Sequence, residues 1–367
     1  MNKIGIATVY TGYNYGSALQ AYATKNILRD MGYEADILKI KGSVVAGRDI
    51  RIGKLITILF RSLVHRKMNN LKNYKTSVSK QFPQETFRLF DSFIQNEISP
   101  TLISYKKLKR LAKTDEYKAF ICGSDQVWNA AVLYVDPFYY LRFAPADKRI
   151  AFAPSFGRDF VPDYNKKKIG AFISGIRYKS VRESSGTKVI RDLTGTEATV
   201  LVDPTLSLSS HEWTNLLQLK EREGKPYLLA YFLDEPTESA KNTVSDISHK
   251  HNLEVIWLPY MEEAAGPVEF VSRIKNASFV CTDSFHGTAF SLNFNVPFYT
   301  FERDYGDADK QSARIKSILE LTHMQDRYEP ANLEDCMDLS FDSCNKILDT
   351  EREKARKFLE KALQEME

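Results

Sequence analysis

Cys281-Thr282-Asp283-Ser284-Phe285-His286-Gly287-Thr288 stands between two apolar runs. Residues 277–280 read as a short buried strand, 289–292 as the start of a helix and 296–299 as the next strand. A histidine is therefore predicted at a strand-to-helix turn, where backbone N–H groups lack intrahelical partners and the helix dipole favours an anion. Gly287 lets the backbone approach a ligand closely. Ser284, Gly287 and Thr288 are the neighbours expected to line such a site. Imidazole titrates near neutral pH, so His286 can donate a proton or bind an anion as imidazolium. The same residues can also serve only to shape a tight turn.

Three other predicted strand ends carry polar groups. The first strand runs into Thr11-Gly12-Tyr13-Asn14-Tyr15-Gly16-Ser17, a glycine-containing loop that could cradle a polar ligand. It lacks GxGxxG spacing, so it is not a dinucleotide fingerprint, and many turns use Gly and Asn for their backbone angles alone. A second end carries Gly123-Ser124-Asp125-Gln126-Val127-Trp128-Asn129. An acid, an amide and an indole would suit a sugar, whose hydroxyls need acceptors and whose faces stack on aromatics. The structural alternative is a helix-capping Asp with Trp128 in the core. At the third, Val181-Arg182-Glu183, the guanidinium is placed to grip a carboxylate or phosphate bidentately, or to make an interface salt bridge. Asp203-Pro204 is expected to fix a turn.

The elements that must position these residues alternate along the whole chain. Residues 4–10, 35–40, 118–122, 149–156, 178–182 and 197–202 read as strands, with a helix over 17–31. After a polar stretch at 207–210 the rhythm restarts: strands at 227–233, 254–258 and 297–301, and helices at 238–251, 268–277 and 309–321. A long charged helix closes the sequence over 344–366. This is an α/β pattern with largely parallel sheets, expected as two Rossmann-like domains facing across a cleft. The expected division is 1–208, 209–342 and a terminal helix, 343–367, that returns to the first domain. Ligands in such sheets bind beyond the carboxyl ends of the strands.

With 367 residues, 43% hydrophobic and 27% charged, the composition is that of a soluble globular protein. No apolar stretch reaches the length of a membrane span, and the first residues begin directly with a strand pattern rather than a signal-peptide layout. Four cysteines without paired spacing point to neither a disulfide framework nor a zinc site. A cytoplasmic protein is expected. The net charge is +4, but from Lys39 to Lys75 ten Lys or Arg face one acid, Asp49. Within that segment, 52–64 reads as an apolar stretch studded with bases. Such a helix can lie on an anionic membrane or pack on the core with a solvated basic face. Nucleic acid is not expected, since no recognition motif accompanies the charge.

Taken in order, Asn14-Tyr15-Gly16, Gly123-Ser124-Asp125-Gln126-Val127-Trp128-Asn129, Ser180-Val181-Arg182-Glu183, Val202-Asp203-Pro204 and Thr282-Asp283-Ser284-Phe285-His286-Gly287 resemble the polysaccharide pyruvyl transferase family, from about residue 4 to residue 320. The resemblance implies a fold like the two-domain GT-B glycosyltransferases. It implies phosphoenolpyruvate as donor, a pair of sugar hydroxyls as acceptor and a cyclic pyruvyl ketal as product, with no cofactor or metal. The expected catalytic pair is His286 as acid and Asp125 as the group that orients or deprotonates the acceptor hydroxyl. Arg182, Ser284, Gly287 and Thr288 are expected on the donor, and Asn14, Tyr15, Gln126 and Trp128 on the acceptor. Where the family commonly carries a basic triplet such as Arg-Leu-His, this chain has Ser284-Phe285-His286; Arg314 or Lys310 would then replace the missing guanidinium. A cell-surface polysaccharide or its lipid-linked precursor would be the acceptor, with peripheral membrane contact through 39–75. The competing readings are a glycosyltransferase that uses a nucleotide-sugar and a non-catalytic saccharide-binding protein at the membrane surface.

Overall fold

The computed structural model describes residues 2–41, 52–64, 82–221, 224–258, 264–303 and 313–366. Two compact units divide the chain: Met1–Gln81, Ile94–Leu201 and Phe358–Glu367 in the first, Phe82–Phe93 and Val202–Lys357 in the second.

The elements run β1 (Lys3–Ala7), α1 (Tyr15–Asp30), β2 (Glu34–Ile40), α2 (Ile52–Val64), α3 (Gln84–Phe93), β3 (Thr101–Ile103), α4 (Tyr105–Leu111), β4 (Ala119–Cys122), β5 (Arg149–Ala151), α5 (Asp163–Ile173), β6 (Tyr178–Val181), α6 (Ser184–Thr194) and β7 (Thr199–Val200). All of these except α3 lie in the first unit. Its seven parallel strands are ordered β3-β2-β1-β4-β5-β6-β7. β1 and β4 carry almost wholly buried sequences, Lys-Ile-Gly-Ile-Ala and Ala-Phe-Ile-Cys, as central strands covered on both faces must. Because the chain runs outward from β1 to β3 and then returns to β4, the topological switch point lies between β1 and β4.

Residues 149–156 form a strand only as far as Ala151. Ala153 takes a left-handed φ of 50°, which ends the pairing. The chain then lies along the loop after β4, with Phe152 N–H donating to Cys122 O at 2.8 Å and Ser155 N–H to Asp125 O at 2.8 Å. These apolar side chains are buried, so the run has a strand's composition without its ladder.

The first unit's core lies under that loop. Trp128 is wholly buried, stacked on Tyr140 with ring centroids 5.4 Å apart. Its indole N–H donates to Tyr139 O at 3.0 Å. The expectation that Trp128 stacks on a sugar is therefore corrected: both ring faces are used inside the protein.

The second unit continues with α7 (Pro204–Ser207), α8 (Ser210–Leu217), β8 (Tyr227–Tyr231), α9 (Glu238–His251), β9 (Glu254–Leu258), α10 (Pro267–Lys275), β10 (Phe279–Thr282), α11 (Phe285–Phe294), β11 (Phe298–Thr300), α12 (Ala313–Leu321) and α13 (Asp342–Gln364). Its parallel strands are ordered β11-β10-β8-β9, placing the switch point between β8 and β10. The unit begins at Val202 because residues 203–208 are stitched to its helices. Thr205 O accepts the Trp213 indole N–H at 2.8 Å and the Asn293 amide at 3.1 Å. α11 is buried along nearly its whole length, as befits a helix apolar all round. The last turns of α13 cluster with the first unit, where Glu365 accepts from Tyr178 and pairs with Arg177 at 3.6 Å.

Trp128→Ala should cost about 3–5 kcal/mol of first-unit stability, the usual loss for deleting a buried indole, read from urea unfolding. An unchanged midpoint would show that the ring does not hold this core.

Candidate functional site

At the first unit's switch point, the β1–α1 loop and the loop after β4 are bonded to each other. Asn14 caps α1, its Oδ1 accepting Ser17 N–H at 3.0 Å, which satisfies one of the orphan donors of the first turn. The Ser17 hydroxyl donates to Asp125 Oδ2 at 2.5 Å, and Asp125 Oδ1 accepts Gln126 N–H at 2.8 Å. Gln20 locks the frame behind them: its amide donates to Val9 O at 2.6 Å and its Oε1 accepts Ser124 N–H at 3.0 Å. Gly123 is required here, with φ +114° and a Cβ position only 2.1 Å from Phe152 O. Asp125 itself takes φ 59°, a left-handed conformation that Asp tolerates better than most residues.

Of the expected acceptor residues, Asn14 is exposed and Gln126 half-buried, whereas Tyr15 is buried and Trp128 belongs to the core. Tyr15 is thus corrected to a packing residue at the start of α1. Gln126 and Asn129, joined by a 3.1 Å hydrogen bond, line a cavity of about 290 Å³ whose walls include Val127, Tyr139 and, from α2, Lys54 and Ile58. Arg182 lies at the end of β6, buried, with its N–H donating to Pro154 O at 3.3 Å. Two strand spacings, about 10 Å, separate β6 from β4 along the same carboxyl edge. Its neighbour Glu183 is also buried, and its Oε1 accepts the Ser155 hydroxyl at 3.0 Å and Phe156 N–H at 2.8 Å. That carboxylate holds the irregular segment after β5 in place.

In the second unit, Ser284 is the N-cap of α11. Its Oγ accepts Gly287 N–H at 3.4 Å, and its carbonyl accepts both the amide and the hydroxyl of Thr288 at 3.0 Å. The amides of Gly287 and Thr288, expected on the donor anion, are therefore used within the turn. Gly287 is needed for packing instead, because a Cβ there would lie 2.5 Å from Thr282 Oγ1. His286 is the second residue of the buried helix, ring edge-to-face with Phe285 at 5.1 Å. Its Nε2 lies 3.9 Å from Asp203 Oδ1. Asp203 is buried and oriented, its Oδ1 accepting the amide and hydroxyl of Thr205 at 2.9 and 2.8 Å. The Asp203-Pro204 turn thus also supplies a fixed carboxylate that pairs with the imidazole when it is protonated.

A second acid–base group occupies the ends of β8 and β10. Asp283 Oδ1 accepts Leu233 N–H at 2.7 Å, which is why β8 stops at Tyr231 and not at Leu233. Arg303, just past β11, reaches Asp283 Oδ2 with Nε at 3.4 Å and also pairs with Asp234. Burial pushes the Asp283 carboxyl up from 3.8 to about 6, outweighing the Leu233 amide and the Arg303 charge that act to lower it. Arg314 opens the first full turn of α12, half-buried, and Lys310 lies outside the described residues. Arg303 is not among the residues expected from the sequence, although it follows the strand predicted over 297–301, where the strand-end rule reaches it.

Among the described residues, no group of three or more His, Cys, Asp or Glu is placed to hold a metal ion. The four cysteines are buried thiols, Cys122 and Cys281 within strands.

Asp283 sets a pH dependence of stability. Its folded pKa is raised, so between 3.8 and about 6 the native state holds a proton that the unfolded chain has lost. That contribution is full below the window and gone above it. Relative to Asp283→Asn, the native protein should lose up to about 3 kcal/mol as pH rises through this range, measured by urea unfolding of both proteins at stepped pH. Parallel profiles would show an ordinary carboxyl.

Solved structures with similar folds share little sequence. A Listeria monocytogenes protein described as a candidate UDP-N-acetylglucosamine 2-epimerase aligns at 10% identity over 96% of this chain and 90% of its own, TM-score 0.49. MurG of Acinetobacter baumannii aligns at 12% over 99% and 94%, TM-score 0.39. The Escherichia coli heptosyltransferase WaaC aligns at 9% over 84% and 90%, TM-score 0.37. No curated protein matches the chain. The family of polysaccharide pyruvyl transferases matches residues 14–305, taking in both switch points, Asp125, Arg182, Asp203 and His286, and it is to this family that the chain belongs.

Proposed function

We propose that this chain transfers the enolpyruvyl group of phosphoenolpyruvate to two hydroxyls of one sugar, forming a cyclic pyruvyl ketal and releasing phosphate. The observation that carries the reading is the family match over residues 14–305. The geometry adds an acid–base group for each half of the chemistry: His286 with its buried carboxylate Asp203, and Asp125 held by Ser17.

Ketal formation begins with a proton on the methylene carbon of phosphoenolpyruvate, which leaves an oxocarbenium-like carbon next to the carboxylate. His286 supplies that proton, and Asp203, fixed by Thr205, keeps the imidazolium oriented and paired before the transfer. A first sugar hydroxyl adds to the cationic carbon as Asp125 accepts its proton. The second hydroxyl then displaces phosphate from the same carbon and closes the ring, its proton leaving with the phosphate. Arg182 grips the donor's carboxylate or phosphate, and Gln126 and Asn14 hold the acceptor. The step uses no cofactor. The proposed acceptor is a sugar of a cell-surface polysaccharide or of its lipid-linked precursor, met at the inner face of the plasma membrane.

The test is phosphate release from phosphoenolpyruvate, with and without a panel of galactosides, glucosides and mannosamine derivatives. Acceptor-dependent release is expected, and His286→Ala should reduce it by about 10²- to 10⁴-fold with the fold intact by circular dichroism. Arg182→Ala should abolish turnover too, and should weaken the thermal shift produced by phosphoenolpyruvate more than His286→Ala does. Near-normal turnover in His286→Ala would remove the acid assignment. A thermal shift from nucleotide-sugars but not from phosphoenolpyruvate would replace the donor.

A further inference from the structure

α2 is an amphipathic helix attached by its polar side. Arg61 donates to Asn165 Oδ1 at 2.8 Å and to Leu133 O at 3.1 Å, and Lys54 pairs with Asp136 at 3.6 Å. Ser62 is wholly buried. The opposite side carries Ile52, Ile56, Leu59, Phe60, Leu63 and Val64, whose spacing of three, four and seven forms one continuous stripe. That stripe faces solvent: Phe60 is 66% exposed and Leu63 67%. An ordinary surface helix turns its apolar side to the core and its charges to water. Here the orientation is reversed, and an exposed apolar face of this kind marks a contact surface.

The charge of the sequence on either side of α2 identifies the partner. Residues 39–75 hold ten of the chain's 51 bases and one of its 47 acids, and there is no acid at all within 52–64. The remaining sequence is net negative, so the positive balance of the whole chain is concentrated in the stretch of sequence that carries α2. Protein partners with an apolar groove do not require that concentration; an anionic lipid surface rewards both features together. α2 is 13 residues long, about 20 Å, too short to cross a bilayer and long enough to lie in its interface. No described helix is long and apolar enough to cross a membrane.

We infer that α2 is a docking helix that inserts its Phe60–Leu63 face into the interface of an anionic bilayer, with Lys54 and Arg61 anchoring it to the first unit. Lys54 and Ile58 also wall the cavity that contains Gln126 and Asn129. In the acceptor reading of that cavity, on which this last consequence rests, docking brings it next to a lipid-carried sugar. The docking itself is independent of the reaction and is measured without substrates.

The full-length protein is mixed with phosphatidylcholine vesicles, with or without phosphatidylglycerol, and floated through a density gradient. It should float with the anionic vesicles, and increasingly less as salt rises. Phe60→Asp with Leu63→Asp should lower the bound fraction about tenfold or more while leaving the thermal midpoint unchanged. Phe60→Trp provides a second reading in a protein that keeps the stripe intact: its fluorescence should shift to the blue on the same vesicles and be quenched by brominated lipid. No flotation of the parent protein on anionic vesicles overturns the inference, as does flotation unchanged by the double substitution. A dimer on gel filtration that the double substitution converts to monomer overturns it in favour of a self-contact.

Discussion

The Thr282 hydroxyl donates to Tyr231 O at 2.6 Å and accepts Ser284 N–H at 3.1 Å, so a single buried group joins the ends of β8 and β10 to the start of α11. Two further features follow from that junction. The helix must begin against the strand, and only glycine fits at 287, where any side chain would meet the same hydroxyl. With the start of α11 fixed, His286 faces the 203–205 turn, where Asn293 and Trp213 hold Thr205 in place. The imidazole–carboxylate pair is therefore a consequence of backbone register rather than of a flexible side chain finding a partner.

The first unit reaches a similar result by other means. Its switch point is closed by side chains that bond to backbone: Gln20 spans Val9, Ser17 and Ser124, and Asp125 ties the β4 loop to Ser17. Buried amides of this sort must be satisfied or they destabilise the fold, so each donor fixes the loop it touches. The Ser17 hydroxyl also keeps one Asp125 oxygen hydrogen-bonded, which holds the carboxylate in one orientation.

Strand ends were legible in the sequence because apolar runs flanked by Gly, Asp and Ser have few other readings. Two parallel α/β sheets follow from the same alternation. What the sequence does not carry is which amides are already spent. Gly287 and Thr288 have the composition of an anion-binding turn, yet Ser284 takes both donors. Trp128 and Tyr15 have the composition of a sugar platform, yet both lie in the core. Asp203 looked like turn punctuation because its partner is 83 positions away, a separation that local patterning cannot span. Arg303 lies two residues past the strand predicted over 297–301, and its carboxylate partners, Asp283 and Asp234, are too distant in sequence for local patterning to pair with it.

The basic segment shows a different limit. Periodicity gives the width and position of an apolar stripe but not the direction it faces, since a helix and its half-turn rotation share one pattern. Direction is decided by the anchors. Ser62 is buried, and Arg61 finds three acceptors, Asn165, Leu133 and Tyr164, whose own polar groups would otherwise face an apolar helix. Rotating α2 to bury Phe60 and Leu63 would strip those acceptors of their donor and leave Asp136 without Lys54, and buried unpaired polar groups cost more per group than apolar side chains gain by partial cover. The outward stripe is thus the arrangement that the polar contacts select, and it leaves the apolar side of α2 exposed.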